Sequence, residues 1–187
     1  QQMLRLDREA SDSAAVRVTK RMLGAIEAEL DATHAVIVCD YSKGAVTQEL
    51  LDGLCILCKP RGIWLSFDPK PSHQLDLTGM SLITPNRAEL FALAGLPDEA
   101  SESSLDVAVQ AVQAKFEPAI TLVTLSEHGM LLCPRGEKTT LIPTVAREIY
   151  DVSGAGDTVI ASFTLAVAAG ASPSSSALDP IPLFRAG

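Results

Sequence analysis

Short apolar runs alternate with longer amphipathic stretches along the chain, and the two kinds of segment predict different elements. The short runs predict buried strands, at residues 35–39, 62–67, 80–84 and 120–125. The longer stretches place apolar residues at helical spacing and predict helices, at residues 14–30, 45–57, 86–94, 102–116 and 155–170. Two further short runs predict a hairpin near one edge of the sheet, at residues 130–133 and 139–142. This alternation predicts an α/β fold with a mostly parallel central sheet and helices on both faces.

Polar residues directly follow several of the predicted strands. They are Asp40, Asp68, the Pro85–Asn86 pair and Ser126. The carboxyl ends of parallel strands meet at one edge of a sheet, where folds of this class bind their ligands. Any one of these residues alone is an ordinary turn former. Their shared position favours a binding crevice at that edge.

Composition and charge narrow the class of protein. The chain has 187 residues, 47% of them apolar, and its 15 Lys and Arg against 23 Asp and Glu give a formal net charge of −8. The length and apolar content predict a folded domain with a real hydrophobic core. An acidic chain repels nucleic acid and anionic membranes, so we expect neither as a partner.

We expect residues 1–171 to form one core, whereas residues 172–187 are rich in Ser and Pro and predict an irregular tail. The opening residues lack the apolar core of a secretory signal. The apolar stretch at 159–171 is shorter than the roughly 20 residues of a membrane span. We therefore expect a cytoplasmic protein. The chain opens on Gln rather than Met, from which we expect it to be N-terminally incomplete.

The four cysteines are too few and too scattered for a disulfide scaffold; they are Cys39, Cys55, Cys58 and Cys133. Cys55 and Cys58 have the spacing of a redox motif or of half a zinc site. A zinc site needs a second pair of ligands, and no second pair with such spacing is present. We expect these thiols to fill a helix end that packs against the sheet, with a thiol redox role as a minor alternative.

A glycine-rich turn leads into the last predicted helix. Gly154, Ala155 and Gly156 remove side-chain bulk where the first N–H groups of that helix are unpaired, which makes a cradle for a phosphate. Asp157 beside the cradle could accept a proton from a hydroxyl that attacks phosphorus. The alternative is a turn whose aspartate only caps the helix. The turn matches neither the P-loop of nucleotide triphosphatases nor the dinucleotide-binding fingerprint.

Five segments, in this order along the chain, resemble the ribokinase-like (PfkB) carbohydrate kinases. They are 40–44 (Asp-Tyr-Ser-Lys-Gly), 68–70 (Asp-Pro-Lys), 84–89 (Thr-Pro-Asn-Arg-Ala-Glu), 122–129 (Leu-Val-Thr-Leu-Ser-Glu-His-Gly) and 151–157 (Asp-Val-Ser-Gly-Ala-Gly-Asp). Within that family they look most like the heptose 7-phosphate kinase domain of bifunctional ADP-heptose synthesis proteins. The resemblance implies a ribokinase-like fold and an enzyme that uses ATP and Mg²⁺.

The resemblance also implies a role for each matching residue. Asp157 would be the base, and the backbone N–H groups of Gly154, Ala155 and Gly156 would stabilise the transferring phosphoryl group. The nucleotide side would be lined by Asn86, Arg87, Ala88, Glu89, Ser126, Glu127, Gly129 and Lys70. Asn86 and Glu89 would hold Mg²⁺ through waters, although the same pair could be a helix N-cap with its box glutamate. Asp40 and Lys43 would lie on the acceptor side.

The resemblance implies ATP-dependent phosphorylation of a sugar or sugar-phosphate hydroxyl, with C1 of D-glycero-D-manno-heptose 7-phosphate as the first expectation. The alternatives are another PfkB-type sugar or nucleoside kinase and a non-catalytic nucleotide-binding fragment. Kinases of this family carry a sugar-binding lid and first strands before the region matched here. This chain shows no match to them, so we expect the lid region to be absent from it. Relatives often pair through the lid, so a homodimer is a further expectation.

Overall fold

The computed structural model describes residues 12–70, 74–99, 101–143 and 155–171. Its α-helices are α1 (Asp12–Glu29), α2 (Gln48–Cys58), α3 (Arg87–Ala94), α4 (Glu102–Phe116) and α5 (Ala155–Ala168). Its strands are β1 (Ala35–Cys39), β2 (Trp64–Asp68), β3 (Leu82–Ile83), β4 (Ile120–Thr124), β5 (Met130–Pro134) and β6 (Thr140–Ile142). Each element lies in or next to a segment that the hydrophobic pattern predicts.

The six strands form one sheet in the order β1-β2-β3-β4-β5-β6. The first four strands pair in parallel, and β5 and β6 are antiparallel to their neighbours. The predicted edge hairpin is therefore confirmed. In the parallel part, Cys39 at the end of β1 lies opposite Asp68 at the end of β2. The carboxyl ends of β1 and β2 thus reach the same edge of the sheet.

Helices cover both faces of the sheet, as predicted. On one face the main core lies among α2, α3, α4 and the sheet, with Leu54, Phe67, Leu90 and Val112 each 3% exposed or less. On the other face α5 packs its own apolar side chains against the strands. The buried residues of this second core are Leu82, Ile120, Leu122, Met130, Leu132, Val159, Ile160 and Phe163. A buried hydrogen bond of 2.7 Å between Ser66 Oγ of β2 and Thr164 Oγ1 fixes α5 along the strand.

Two element boundaries differ from the prediction. Helix α2 begins at residue 48 rather than 45, because the Thr47 hydroxyl accepts a hydrogen bond from the Leu50 backbone and caps the helix there. Strand β3 is only two residues long, because the Met80 N–H bonds to the Leu77 carbonyl in a turn instead of joining the sheet. The pattern of apolar residues continues past both boundaries.

None of the helices within the described ranges is long and apolar enough to cross a membrane. The predicted tail at 172–187 lies outside the described residues, as do residues 1–11 and the turn at 151–154.

Candidate active site

The carboxyl edge of the sheet begins with the turn after β1. The Asp40 side chain is 1% exposed, and its Oδ1 accepts a hydrogen bond of 2.8 Å from the Ser42 N–H. This contact holds Ser42 in a left-handed conformation with φ of 55°. Tyr41 between them is 60% exposed, and Lys43 beyond them is exposed too. Asp40 therefore shapes the turn that presents Tyr41 and Lys43 at this edge.

Two buried carboxylates share one lysine at this edge. Lys70 Nζ lies 2.8 Å from Glu89 Oε1 and 3.6 Å from Asp68 Oδ2, and both acidic side chains are 7% exposed. Asp68 Oδ1 also accepts a hydrogen bond of 3.2 Å from the Thr84 hydroxyl. The Lys70 ammonium thus neutralises part of a charge that would be costly to bury alone. Sequence reasoning placed Lys70 at the nucleotide and did not find this contact.

Asn86 and Glu89 form a complete capping box at the start of α3. Asn86 Oδ1 accepts from the Glu89 N–H at 2.9 Å, and Glu89 Oε2 accepts from the Asn86 N–H at 2.8 Å. The pair therefore forms the helix N-cap with its box glutamate, which the sequence offered as the alternative to a metal site. It does not displace the metal prediction, since each carboxylate oxygen has more than one acceptor site.

The donor set tests whether a divalent metal fits here. Among the described residues, no group of three or more His, Cys, Asp and Glu side chains could hold a metal ion. Glu89 and Asn86 offer oxygen atoms that are already engaged in the capping box. Mg²⁺ keeps several of its waters and binds few protein ligands directly. The residues present thus fit contact through water and do not form a direct coordination shell.

Asp157 lies in the first turn of α5, where a carboxylate is favoured by the helix dipole. Its side chain is exposed, and its Oδ2 accepts a hydrogen bond of 3.1 Å from the Tyr41 hydroxyl. At Gly156 a Cβ would meet no atom within 4 Å, so the backbone of this turn borders open space. Gly154 lies outside the described residues, and Ala155 is the first residue of α5.

The electrostatics show that these groups share one site. Burial raises the pKa of Asp68. The negative charges of Glu89 and Asp157 raise it too, whereas the positive charge of Lys70 lowers it. Burial also raises the pKa of Cys39, again with help from Asp68 and Asp157. β2, α3 and α5 therefore bring Asp68, Glu89 and Asp157 near one another at this edge of the sheet, beside Cys39 of β1.

The turn after β4 completes this edge. Asn86 forms a bridge with Thr124, so the start of α3 lies beside the end of β4. Residues 126–128 form a short 3-10 turn in which Ser126 has φ of 52° and Gly129 has φ of 92°. Glu127 is 74% exposed in that turn. The predicted nucleotide residues Ser126, Glu127 and Gly129 therefore lie next to Asn86.

Arg87 and Ala88 are placed differently. The Arg87 guanidinium contacts Asp98 at 2.7 Å and lies 5.2 Å above the Phe91 ring. These contacts direct it to the connection between α3 and α4, away from the Asp68–Glu89 pair. Ala88 follows it in the first turn of α3. Nucleotide binding by Arg87 and Ala88 remains a prediction.

Tyr41, Asp68 and Thr84 are site residues that sequence reasoning left without a role. Asp68 carried a signal, since it ends a strand beside a lysine two residues on. Tyr41 and Asp157 are 116 positions apart, and no pattern in the sequence links them.

The Cys55–Cys58 pair lies at the opposite end of β2. Both thiols border a cavity of about 270 Å³ that is also lined by Trp64 and Ser81. Cys58 is 1% exposed and packs against Leu30 and Ile63, which confirms that this helix end is buried. Burial raises the pKa of both thiols, whereas a redox pair requires a lowered one.

The fold and the carboxylate-rich edge define a ribokinase-like α/β domain, and solved structures agree. A ribokinase from Arabidopsis thaliana, solved with ribose and ATP, superposes with a TM-score of 0.67 at 22% identity; the match covers 89% of this chain and 49% of that one. Phosphofructokinase-2 from Escherichia coli, solved with fructose-6-phosphate, gives 0.66 at 20% identity, with 82% and 51% covered.

Sequence comparison identifies the family. The model for pfkB family carbohydrate kinases matches residues 12–178, and the chain belongs to that family. Bifunctional protein HldE of Sulfurimonas denitrificans is 37% identical over 177 residues, which are 95% of this chain and 36% of the relative. Bifunctional protein HldE of Helicobacter pylori J99 is 39% identical over 167 residues, 89% of this chain and 36% of the relative. The chain thus spans about a third of the length of these relatives.

Proposed function

We propose that this chain carries the nucleotide and catalytic portion of a kinase that transfers the γ-phosphoryl group of ATP to a hydroxyl of a sugar or sugar phosphate. The observation that carries the proposal is the exposed Asp157 carboxylate at the start of α5, at the same edge as the Asp68–Lys70–Glu89 network. The family match supports the reaction class. Because the matched segments resemble heptose 7-phosphate kinases, the acceptor in this proposal is D-glycero-D-manno-heptose 7-phosphate, with its C1 hydroxyl as the reacting group.

Asp157 is the general base in this proposal. Its free oxygen takes the proton of the acceptor hydroxyl while the hydroxyl oxygen bonds to phosphorus. The bond between the γ-phosphorus and the bridging oxygen breaks, and ADP leaves with that electron pair. The Asp157 carboxylate is exposed in the first turn of α5, so an acceptor hydroxyl can reach it.

The start of α5 supplies the anion-stabilising part of the site. The first backbone N–H groups of a helix have no partner within the helix and carry partial positive charge. Those of Ala155 and Gly156, together with Gly154, would face the charge that develops on the phosphoryl group. The open space beside Gly156 supports this role, because a phosphate oxygen can approach the backbone there.

The nucleotide side is formed by α3 and the turn after β4. Asn86, Glu89, Ser126, Glu127 and Gly129 lie along this part of the edge. Glu89 and Asn86 would hold Mg²⁺ through waters, and the metal would neutralise phosphate charge. Lys70, which contacts the Glu89 carboxylate, would lie near the phosphate groups and could bind a phosphate oxygen. A cytoplasmic location and a homodimer complete the proposal.

The test is ADP release from Mg·ATP across a panel of sugar phosphates, with wild type beside Asp157→Asn. We expect release with one acceptor and a loss of about 10²–10⁴-fold in the variant, the usual worth of a general base, while ATP still binds. Asp106→Asn is the matched control, because Asp106 is exposed on α4 and lies outside the site.

Near-normal turnover in Asp157→Asn would show that the base is another group. Nucleotide binding without release on any acceptor would instead identify a nucleotide-binding module. A second variant, Glu89→Gln, keeps an oxygen for the capping box and loses the charge. It should require more Mg²⁺ for half-maximal rate, and an unchanged Mg²⁺ titration would remove the metal role.

A further inference from the structure

The Tyr41–Asp157 contact joins two residues whose backbones are both fixed. Asp40 is buried, its N–H bonds to the Asp68 carbonyl at 3.2 Å, and its side chain holds the turn at Ser42. Tyr41 therefore leaves the sheet in a set direction. On the other side, the Ser66–Thr164 hydrogen bond anchors α5 about two helical turns after Asp157.

The contact contributes little to folding. The Tyr41 side chain is 60% exposed and Asp157 is exposed, and a hydrogen bond open to water contributes little net stability. Such a bond gains strength where water is excluded, which happens once an acceptor covers the crevice. The Tyr41–Asp157 hydrogen bond is therefore better explained by a role at a reacting site than by a role in stabilising the fold.

We propose, on the basis of the proposed function, that Tyr41 is a positioning residue for Asp157. Its hydroxyl holds Oδ2 of the carboxylate and leaves Oδ1 directed to the acceptor hydroxyl. The carboxylate is then fixed in rotation as well as in place, which is the requirement for proton abstraction in line with phosphoryl transfer. Tyr41 neither gains nor loses a proton in the step.

The charged surroundings agree with this role. The hydrogen bond to Asp157 raises the pKa of Tyr41, so its hydroxyl stays a donor across the neutral range. Within the described ranges, the other titratable groups that face the pair are Cys39 of β1 and Asp68 of β2, with Lys70 and Glu89 behind Asp68. Both of the nearer groups act on the phenol in the same direction as Asp157.

Kinetics of Tyr41→Phe test the role. We expect kcat to fall about tenfold, which is the scale of one charge-assisted hydrogen bond, with the KM for ATP within about twofold. In an Asp157→Asn background, Tyr41→Phe should have no further effect. A raised KM for the acceptor with an unchanged kcat would overturn the proposal, because Tyr41 would then bind the sugar.

A titration tests the contact without catalysis. The chain has two tyrosines, so subtracting the near-ultraviolet tyrosinate titration of Tyr41→Phe from that of wild type isolates Tyr41. Asp157→Asn should lower the pH at which Tyr41 ionises, and Asp106→Asn should not. An unchanged midpoint in Asp157→Asn would overturn the proposal. If wild type releases no ADP on any acceptor, the proposed function fails, and this titration alone decides whether Tyr41 holds Asp157.

Discussion

Replacing Lys70 by Met isolates the energetic role of the lysine that the two buried carboxylates share. Met has nearly the length of the lysine stem and removes the ammonium group. Glu89 keeps its hydrogen bond from the Asn86 N–H, and Asp68 keeps the one from Thr84. What the variant loses is the 2.8 Å contact to Glu89 and the 3.6 Å contact to Asp68.

The geometry sets the size of the effect. Removing one partner of a fully buried ion pair costs about 3–5 kcal/mol of unfolding free energy. Lys70 is 33% exposed, so water can reach part of the gap that it leaves, and we reduce the expected loss to about 1.5–3 kcal/mol. In a chain of this length each kcal/mol shifts Tm by about 2–4 °C, which gives a fall of about 3–12 °C.

The pH dependence follows from the pKa directions. Although burial opposes it, the pKa of Lys70 is raised overall by its hydrogen bond to Glu89 and by the Asp68 and Glu89 charges. Its contribution is therefore full below the ordinary lysine range and is lost only as pH rises through the raised value. Burial raises the pKa of Asp68, so the penalty of its charge disappears on acidification. The deficit of Lys70→Met should be largest near neutral pH.

Urea unfolding at several pH values measures this deficit. Lys138→Met is the matched control, because Lys138 is exposed between β5 and β6 and the substitution changes net charge equally. The control should stay within about 0.5 kcal/mol of wild type. If Lys70→Met loses no more than the control, or loses as much in acid as at neutral pH, the ion-pair reasoning is wrong.

Three further predictions concern the scaffold. Thr164→Val removes one of the two hydrogen-bond partners of the buried Ser66 Oγ, which keeps the bond from Trp64 Nε1, and should cost about 1 kcal/mol in urea unfolding, with Thr164→Ser recovering most of it; equal losses would contradict the hydrogen-bond account. Gly24→Ala should stabilise α1 by about 0.5–1 kcal/mol, since a Cβ there meets nothing within 4 Å. Gly95→Ala, at φ of 69°, should cost about 1 kcal/mol, and the same sign for both glycines would refute the backbone argument. Burial raises the pKa of Cys133 to about 11, so iodoacetamide should leave it unlabelled in folded protein, as mass mapping would show; fast labelling would count against it.

The local features of this fold could be read from the sequence. Asn86 and Glu89 mark the start of α3, and Gly95 marks its end. Each cap depends on residues that are only a few positions apart in the sequence. The strand ends followed by Asp40 and Asp68 were visible because a buried parallel strand is a continuous apolar run. Strand order was not predicted, because an apolar run shows that a strand is buried but not which strand it pairs with.

The contacts that make the site come from distant positions. Lys70 meets Glu89 across 19 residues, and Tyr41 meets Asp157 across 116. The family resemblance placed Lys70 at the predicted site, and the glycine-rich turn together with that resemblance placed Asp157 there, but neither showed which atoms the two side chains contact. Arg87 is a further case: its position in the matched segment implies a nucleotide contact, and the sequence did not show that the Asp98 carboxylate offers it a bidentate partner.

The placement of α5 has a consequence for the order in which the protein is built. This helix is the last of the described elements, yet it packs on β1 and β2, the first two strands. During synthesis the sheet face formed by Leu82, Ile120 and Leu122 stays exposed until residues 155–168 have emerged. The same helix brings Asp157. A nascent chain therefore acquires its proposed base in the same step that covers this apolar face of the sheet, and a chain that ended before α5 would lack both.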